Sequence, residues 1–305
     1  MKTSDYPHYQ CPFPAFNVAQ AAVVPWLDKD VNVVVAFNTA VGKTALAECA
    51  FGYHLKQPAS KVVYISPFKG ISDEKYRQWK ADPVFAPCGV LLNTGDVRHV
   101  ARTEYDKNRF LIFTAEAFDV RTRSPVHYDW LRRVACLAYD EAHLISTDRG
   151  GKMEAALIRF TAMNPDCRLL ALSATMSNGM DLARWLKALN GKTTKFVESD
   201  WRPCPIHYDF HMLDGRAASG SLVAKAVELA RRSATDKTIL FVHSKKVGQQ
   251  LVYALRNAGI PTAFHNASLP ARKRAKLEKD FDDPVSGLDV LVSTSTLSAG
   301  VNIGG

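Results

Sequence analysis

The sequence predicts an α/β protein with two tandem domains, each built on a parallel sheet. Apolar runs rich in Val, Ile and Leu recur along the 305-residue chain, and stretches with a helical pattern separate them. Continuous apolar strands that alternate with helices are typical of parallel sheets covered on both faces. A chain of 305 residues is also long enough for two domains that each bury a core.

The first half carries apolar runs that we interpret as the strands of one sheet. They are residues 31–37, 61–66, 109–114, 134–140 and 168–173. Helical patterns lie between them, over residues 44–55 and 153–163 among others. This alternation defines the first domain, which we assign to residues 1–198.

A break in the alternation predicts the domain boundary. Residues 198–205 (ESDWRPCP) include two prolines, which resist both a helix and a central strand. We therefore assign residues 199–305 to the second domain, with a crossing segment that runs to about residue 218. Its elements are helix 222–232, strand 238–243, helix 245–257, strand 262–264, helix 270–282 and strand 288–293.

Composition restricts the classes of protein. Apolar residues make up 47% of the chain and charged residues 23%, which indicates a globular protein. No apolar run reaches the roughly 18 residues that a membrane helix needs, and the first residues lack the apolar core of a signal peptide. We therefore expect a cytoplasmic protein of bacterial or viral origin. The net charge of +9 favours a polyanionic partner, and the six cysteines form no Cys-x-x-Cys pair that would indicate a zinc site.

A phosphate-binding loop is predicted where the first strand meets the first long helix. Residues 38–44 (NTAVGKT) stand in a strand–loop–helix context, in which backbone N–H groups cradle phosphate oxygens. Lys43 would neutralise the β- and γ-phosphates, and the Thr44 hydroxyl would ligate Mg²⁺. The pattern would have glycine where Phe37 and Ala40 stand, which is tolerable if φ stays negative there. The alternative is a helix N-terminus with a surface lysine.

Two adjacent carboxylates follow the strand that begins at residue 134. Residues 140–143 (DEAH) stand at its C-terminal end, where α/β sheets bind ligands. Asp140 would hold Mg²⁺, through water, and Glu141 would polarise an attacking water. Because two neighbouring carboxylates repel each other, this arrangement needs a nearby cation. The alternative is a solvated acidic turn.

The order of these motifs and their neighbours resembles the Ski2-like group of superfamily 2 helicases, over roughly residues 13–302. The runs 140–154 and 173–186 resemble motifs II and III of that group. The other resemblances are residues 16–20 to the Q motif, 64–70 to Ia, 94–96 to Ic, 114–116 to Ib, 239–246 to IV, 264–281 to IVa and 290–302 to V. The resemblance implies two tandem RecA-like domains that bind ATP and Mg²⁺ and move on nucleic acid.

The resemblance also implies roles for individual residues. The implied catalytic residues are Lys43, Asp140, Glu141 and His143, with Thr44 and Asp140 as the metal ligands. The implied nucleotide-binding residues are Gln20, Thr39, Gly42, Lys43, Thr44, Gly300 and Asn302, and the adenine would face Gln20. The implied contacts to the nucleic-acid backbone are Pro67, Lys69, Thr94, Gly95, Thr114, Glu116, Thr294 and Thr296. Ser173 and Thr175 would couple nucleotide state to the domain interface. For Gln20, the alternative is a surface side chain on an N-terminal helix.

Motif VI, which supplies the arginines of comparable helicases, is not found before the chain ends at Gly305. The resemblance thus implies that the second domain is incomplete at its C-terminus, and we expect strand 288–293 to leave an unpaired sheet edge. We therefore expect weak hydrolysis unless a second chain provides an arginine. The favoured function is an ATP-dependent helicase or translocase on single-stranded or branched DNA, moving 3′ to 5′ by resemblance. Alternatives are an ATP-responsive nucleic-acid clamp, a motor subunit that needs a partner, and an RNA helicase.

Overall fold

The computed structural model describes residues 1–95, 100–147, 150–174, 176–212, 219–233, 237–294 and 297. The chain divides into two compact units, Met1–Ile206 and His207–Gly305. The domain boundary at residue 199 stays a prediction. In the described part of the chain, no helix is both long and apolar enough to cross a membrane.

The first unit is built on a seven-stranded parallel sheet. Its strands are β1 Asn32–Phe37, β2 Lys61–Ser66, β3 Val90–Asn93, β4 Phe110–Thr114, β5 Val134–Tyr139, β6 Arg168–Ser173 and β7 Thr194–Ser199, in the order β3-β4-β2-β5-β6-β1-β7. Its helices are α1 Val18–Val23, α2 Lys43–Leu55, α3 Lys69–Ala81, α4 Arg102–Lys107, α5 Ala115–Thr122, α6 Tyr128–Leu131, α7 Gly151–Met163 and α8 Gly179–Asn190. The predicted α/β class is confirmed.

Helices cover both faces of this sheet. Val33 and Val35 of β1 pack with Leu46 of α2 in one apolar cluster. Val34, between them, packs with Leu157 of α7 in a second cluster on the other face. Successive side chains of a strand point to opposite faces, so a strand buried on both sides reads as an uninterrupted apolar run. This explains why β1 carries a strong sequence signal.

The second unit contains a three-stranded parallel sheet. Its strands are β8 Thr238–Phe241, β9 Thr262–His265 and β10 Val290–Ser293, and its helices are α9 Ser219–Arg232, α10 Lys245–Asn257 and α11 Ala271–Asp282. The expectation that the last strand forms an unpaired edge is wrong. Within the described residues β10 lies between β8 and β9, and Val290 pairs with both Thr238 and Thr262. The central place suits the apolar sequence of β10, which is buried along its whole length.

Two strands of the first sheet have no counterpart in the prediction. β3 is a short edge strand that is mostly half-buried, and β7 is the opposite edge strand, with a half-polar sequence (TKFVES). β7 pairs in parallel with β1, and its last two paired residues are Glu198 and Ser199. The break in the pattern therefore starts after residue 199 rather than at residue 198. The strand predicted over residues 134–140 ends at Tyr139.

Candidate functional site

The phosphate-binding loop follows β1 and leads directly into α2. β1 ends at Phe37, and α2 begins at Lys43 with Gly42 as its N-cap, at a φ of 82°. Ala40 also lies in the left-handed region, with a φ of 63°. The expectation of a negative φ at Ala40 is therefore wrong, whereas Phe37 keeps the extended backbone of its strand. A chain that reverses from strand to helix within so few residues needs left-handed positions, which favour glycine.

We expect Ala40→Gly to stabilise the first unit. A left-handed conformation costs a non-glycine residue about 1–2 kcal/mol, and the greater freedom of glycine in the unfolded chain takes back about 0.4–1 kcal/mol. Chemical denaturation should thus show a free energy of unfolding raised by about 0.5–1 kcal/mol. Ala155→Gly, in the interior of α7, is the control and should lower it by about 1 kcal/mol. Equal losses in both variants would contradict strain at Ala40.

Lys43 is held inside the loop rather than on the surface. The residue is only 9% exposed, and its Nζ donates to the carbonyl oxygens of Phe37 and Asn38, each at 3.0 Å. Burial lowers the pKa of Lys43, and the carboxylates of Glu141 and Asp140 act in the opposite direction. The alternative of a surface lysine at a helix N-terminus is therefore wrong. The ammonium group therefore lies within the loop, where it is bound to two neutral carbonyl oxygens that an anionic phosphate could replace.

Gln20 supports the same loop from α1. It is 3% exposed, its Nε2 donates to the Gly42 carbonyl at 3.1 Å, and its Oε1 accepts from the Asn17 N–H at 3.1 Å. A Cβ added at Gly42 would lie 2.6 Å from Nε2 of Gln20 and would displace this amide, and the φ of 82° would strain any other residue there. The alternative of a surface glutamine is therefore wrong. Adenine recognition by Gln20 stays a prediction.

Of the two carboxylates that follow β5, Asp140 is buried and Glu141 is half-buried. Asp140 is 8% exposed, and its Oδ1 accepts from the Glu141 N–H at 2.9 Å. Its Oδ2 accepts from the hydroxyl of Tyr64 on β2. Glu141 has a φ of 51°, a second strained position of the site. Burial raises the pKa of Glu141, the Asp140 carboxylate raises it further, and Lys43 lowers it. The solvated acidic turn, our alternative, does not fit this enclosure.

Tyr64 was missed as a member of the site. Tyr64 lies in the run that resembles motif Ia and had no predicted role, yet its side chain is fully buried and its hydroxyl donates to Asp140. A signal was available, because Tyr64 carries a hydroxyl within a buried, largely aliphatic strand (KVVYIS), and a buried hydroxyl must find a partner. The sequence does not say which acceptor it finds.

His143 connects the acidic turn with the end of β6. Its Nδ1 lies 3.3 Å from the Oγ of Ser173 and 3.4 Å from Oε2 of Glu141. Burial lowers the pKa of His143, and the Lys43 charge lowers it further, so the ring is neutral at pH 7. A neutral ring links the two motifs by hydrogen bonding and not by an ion pair. The interdomain roles predicted for Ser173 and Thr175 stay predictions, and Thr175 lies outside the described residues.

The positions that we predict to contact nucleic acid in the first unit lie at the carboxyl ends of three other strands of the same sheet. They follow β2, β3 and β4, which are neighbours in the sheet, and the pairs Ser66–Thr114 and Asn93–Phe113 set their strand ends level. The exposed members are Lys69, Gly95 and Glu116. Pro67 is half-buried, and Thr94 and Thr114 are buried.

Two of the positions predicted to contact nucleic acid have contacts within the protein. The Oγ1 of Thr114 caps α5 by accepting from the N–H of Ala117 at 3.4 Å. In the second unit, the Thr294 N–H donates to the His265 carbonyl at 3.3 Å. Contact of all these residues with nucleic acid stays a prediction. The remaining predicted positions, Thr296, Gly300 and Asn302, lie outside the described residues.

Family comparisons agree with this arrangement. Residues 17–182 match the DEAD/DEAH box helicase model. Residues 221–305 match the helicase conserved C-terminal domain. The first match contains the phosphate loop, the acidic turn and Ser173, and so covers the whole site of the first unit.

Individual relatives are longer helicases. The chain is 28% identical to the ATP-dependent DNA helicase MER3 of Saccharomyces cerevisiae, over 95% of this chain and 27% of that protein. It is 31% identical to the ATP-dependent DNA helicase Hel308 of Pyrococcus horikoshii, over 90% of this chain and 42% of that protein. The chain thus spans less than half the length of these relatives.

A solved structure supports the fold. The helicase Lhr of Mycobacterium smegmatis, bound to ssDNA and AMP-PNP, superposes with a TM-score of 0.71 at 24% identity, over 96% of this chain and 41% of that one. At this level of identity the likeness shows the fold. The match of the family model over more than half the chain, with the motif order described above, shows membership. The chain belongs to the DEAD/DEAH box helicase family, in the Ski2-like group of superfamily 2.

Proposed function

We propose that this chain is an ATP-hydrolysing motor that moves on single-stranded or branched DNA, 3′ to 5′, and unwinds it. The observation that supports the proposal is that Lys43 lies near Asp140 and Glu141: both carboxylates oppose the lowering of the Lys43 pKa by burial, and Lys43 lowers the pKa of Glu141. Phosphoryl transfer requires a cation for the phosphates and a carboxylate for the attacking water, and buried Lys43 and half-buried Glu141 can supply them.

In this reaction the chain's residues position groups more than they react covalently. Lys43 would leave the two carbonyls that it now contacts and bind the β- and γ-phosphates, while loop N–H groups bind the other oxygens. Glu141 would accept a proton from the attacking water, and its raised pKa makes it a stronger base than an ordinary glutamate. His143 and Ser173 would transmit the change at Glu141 to the end of β6.

The residues present fit a magnesium ion. Mg²⁺ takes oxygen ligands, usually one or two from protein with the rest from phosphates and water. Thr44 and Asp140 would supply these oxygens, because a carboxylate retains acceptor capacity after the two hydrogen bonds that Asp140 accepts. The ion, when bound, neutralises charge on the phosphates. Tyr64 keeps the Asp140 carboxylate in one orientation.

We expect Tyr64→Phe to raise the Mg²⁺ concentration needed for half-maximal turnover by about tenfold, as is usual when a hydrogen bond to a metal ligand is lost. Titration of ATP turnover with Mg²⁺ measures this. Tyr105→Phe is the matched control, since Tyr105 is equally buried and its hydroxyl contacts Asn93 and Arg121. An unchanged requirement in Tyr64→Phe would exclude a role for Tyr64 in orienting Asp140.

Several observations support DNA as the track. The net charge of +9 favours a nucleic acid, and exposed Lys69 and Gly95 follow β2 and β3, on either side of β4, where phosphates could bind without base contacts. The relatives MER3 and Hel308 are named DNA helicases, and the solved Lhr structure holds single-stranded DNA. Binding through phosphates should weaken steeply as salt increases.

The test is ATP turnover by the full chain with single-stranded DNA, with RNA of the same sequence, and without nucleic acid. We expect DNA to stimulate turnover more than RNA does, and tailed duplexes to be unwound only when the loading strand has a 3′ tail. Equal or greater stimulation by RNA would assign the motor to RNA. Nucleotide binding without turnover on any strand would instead favour the clamp, or a motor subunit whose arginine comes from a second chain.

A further inference from the structure

A pocket beside the phosphate loop is partly walled by the segment that follows β7. This pocket has a volume of about 400 Å³ and is lined by Asn38, Thr39, Ala174, Asp200 and Arg202. These residues follow β1, β6 and β7, which are adjacent in the sheet, so all three strand ends open into the same space. Arg202, which follows the last strand of the first unit, therefore places a cationic side chain beside the phosphate loop.

Asn38 ties this segment to the loop. Its side chain is buried, and Nδ2 donates to the backbone carbonyls of Asp200 at 3.1 Å and Trp201 at 3.5 Å. Trp201 packs against the apolar cluster on the α2 face of the sheet, which fixes the segment from the other side. The carbonyl of Asn38 accepts from Lys43. One residue therefore contacts both the phosphate-binding lysine and the segment that carries Arg202.

The Arg202 guanidinium has no ion pair with any residue that the structure describes, and Asp200, in the same pocket, is not paired with it. The side chain is exposed to solvent. Arginine binds phosphate oxygens with a planar, permanently charged group. A guanidinium that pairs with none of the described residues, beside a loop suited to phosphates, is suited to an anionic ligand.

The strand order indicates which phosphate it would meet. The sheet runs β5-β6-β1-β7, so β6 lies between the acidic turn after β5 and the phosphate loop after β1. The phosphate that is cleaved must lie between Glu141 and the loop, hence over the end of β6, where Ala174 lines the pocket. The pocket is thus adjacent to the terminal phosphate rather than to the nucleoside.

We propose that Arg202 binds the terminal phosphate of ATP and that Asn38 is the positioning residue that holds it there. The inference rests on the proposed function, because it requires ATP in the loop. The segment that follows β7 would then respond directly to whether ATP or ADP is bound. Binding of the triphosphate would draw Arg202 inward, and loss of the terminal phosphate would release it.

The experiment measures the affinities of the full chain for ADP and for AMP-PNP. We expect Arg202→Gln to weaken AMP-PNP binding by about tenfold, the usual effect of losing one hydrogen bond to a charged group, and to change ADP binding by less than about twofold. Arg202→Lys, which keeps the charge, should recover part of the loss. Arg184→Ala is the matched control, since Arg184 pairs with Asp181 on the exposed surface of α8.

The role of Asn38 is tested in two backgrounds. Asn38→Ala should reduce the preference for AMP-PNP over ADP in the wild-type chain but not in the Arg202→Gln chain, whereas a loss of folding would lower both affinities in both. Effects of Arg202→Gln that are absent, or equal for the two nucleotides, would overturn the inference alone. If the wild-type chain bound neither nucleotide, or bound both independently of Lys43, the proposed function itself would fail.

Discussion

Lys43→Ala is expected to lower ATP turnover by about 100-fold or more, the scale found when one donor is removed from a preorganised anion site. The residue is a buried cation, and its Nζ already donates to the carbonyls of Phe37 and Asn38 at the loop. Its charge also offsets the repulsion between Asp140 and Glu141, because both carboxylates interact with it. The variant should therefore lose nucleotide affinity as well as turnover.

Lys80→Ala is the control for this substitution. Lys80 lies near the end of α3 and is exposed, with its Nζ donating to the Tyr76 hydroxyl. It should leave both nucleotide binding and turnover unchanged. Because Lys43 is buried, thermal unfolding must accompany the assay, and Lys43→Met supplies a variant that keeps the apolar stem. Full turnover in a folded Lys43→Met chain would remove the loop from the mechanism.

The sequence predicted those parts of the fold whose signals are local. β2 and β6 have the predicted bounds, since each is an apolar run ended by a serine, and α10 begins at a residue capped by Ser244 as expected of a helix start. The phosphate loop and acidic turn were also predictable, because each depends on a few neighbouring residues at a strand end.

The features of the fold that we did not predict depend on contacts between segments that are distant in the sequence. The position of β10 between β8 and β9 is set by where its crossover returns, and no pattern within residues 288–293 specifies this. The edge strands β3 and β7 are half-solvated and so lack a continuous apolar run.

The same limit applies to the candidate site. The bond from Tyr64 to Asp140 spans 76 residues, and the bond from Asn38 to the carbonyl of Asp200 spans 162. The left-handed backbone at Ala40 was unexpected, because alanine gives no local sign of a positive φ. Motif order therefore located the site, whereas the supporting contacts required the structure.

Glu141→Gln is expected to separate binding from chemistry. The substitution keeps the side-chain volume but removes the base, and a positioned base contributes about 10²–10⁴-fold to such reactions. Turnover should fall on that scale. Nucleotide affinity should hold or increase, since one of two adjacent negative charges disappears from the phosphate site. Glu154→Gln, at an exposed position of α7, should change neither quantity.

The pH dependence provides an independent check on Glu141. A base acts only when it is deprotonated, and burial with the Asp140 charge raises the pKa of Glu141 above the ordinary value of about 4.3. Wild-type turnover should therefore fall on acidification through this raised pKa, at a higher pH than an exposed glutamate would produce. The residual turnover of Glu141→Gln should lack this acid limb, because glutamine does not titrate. If the limb persisted in the variant, a different group would have to activate the water, and the strained turn at Glu141 would need another explanation.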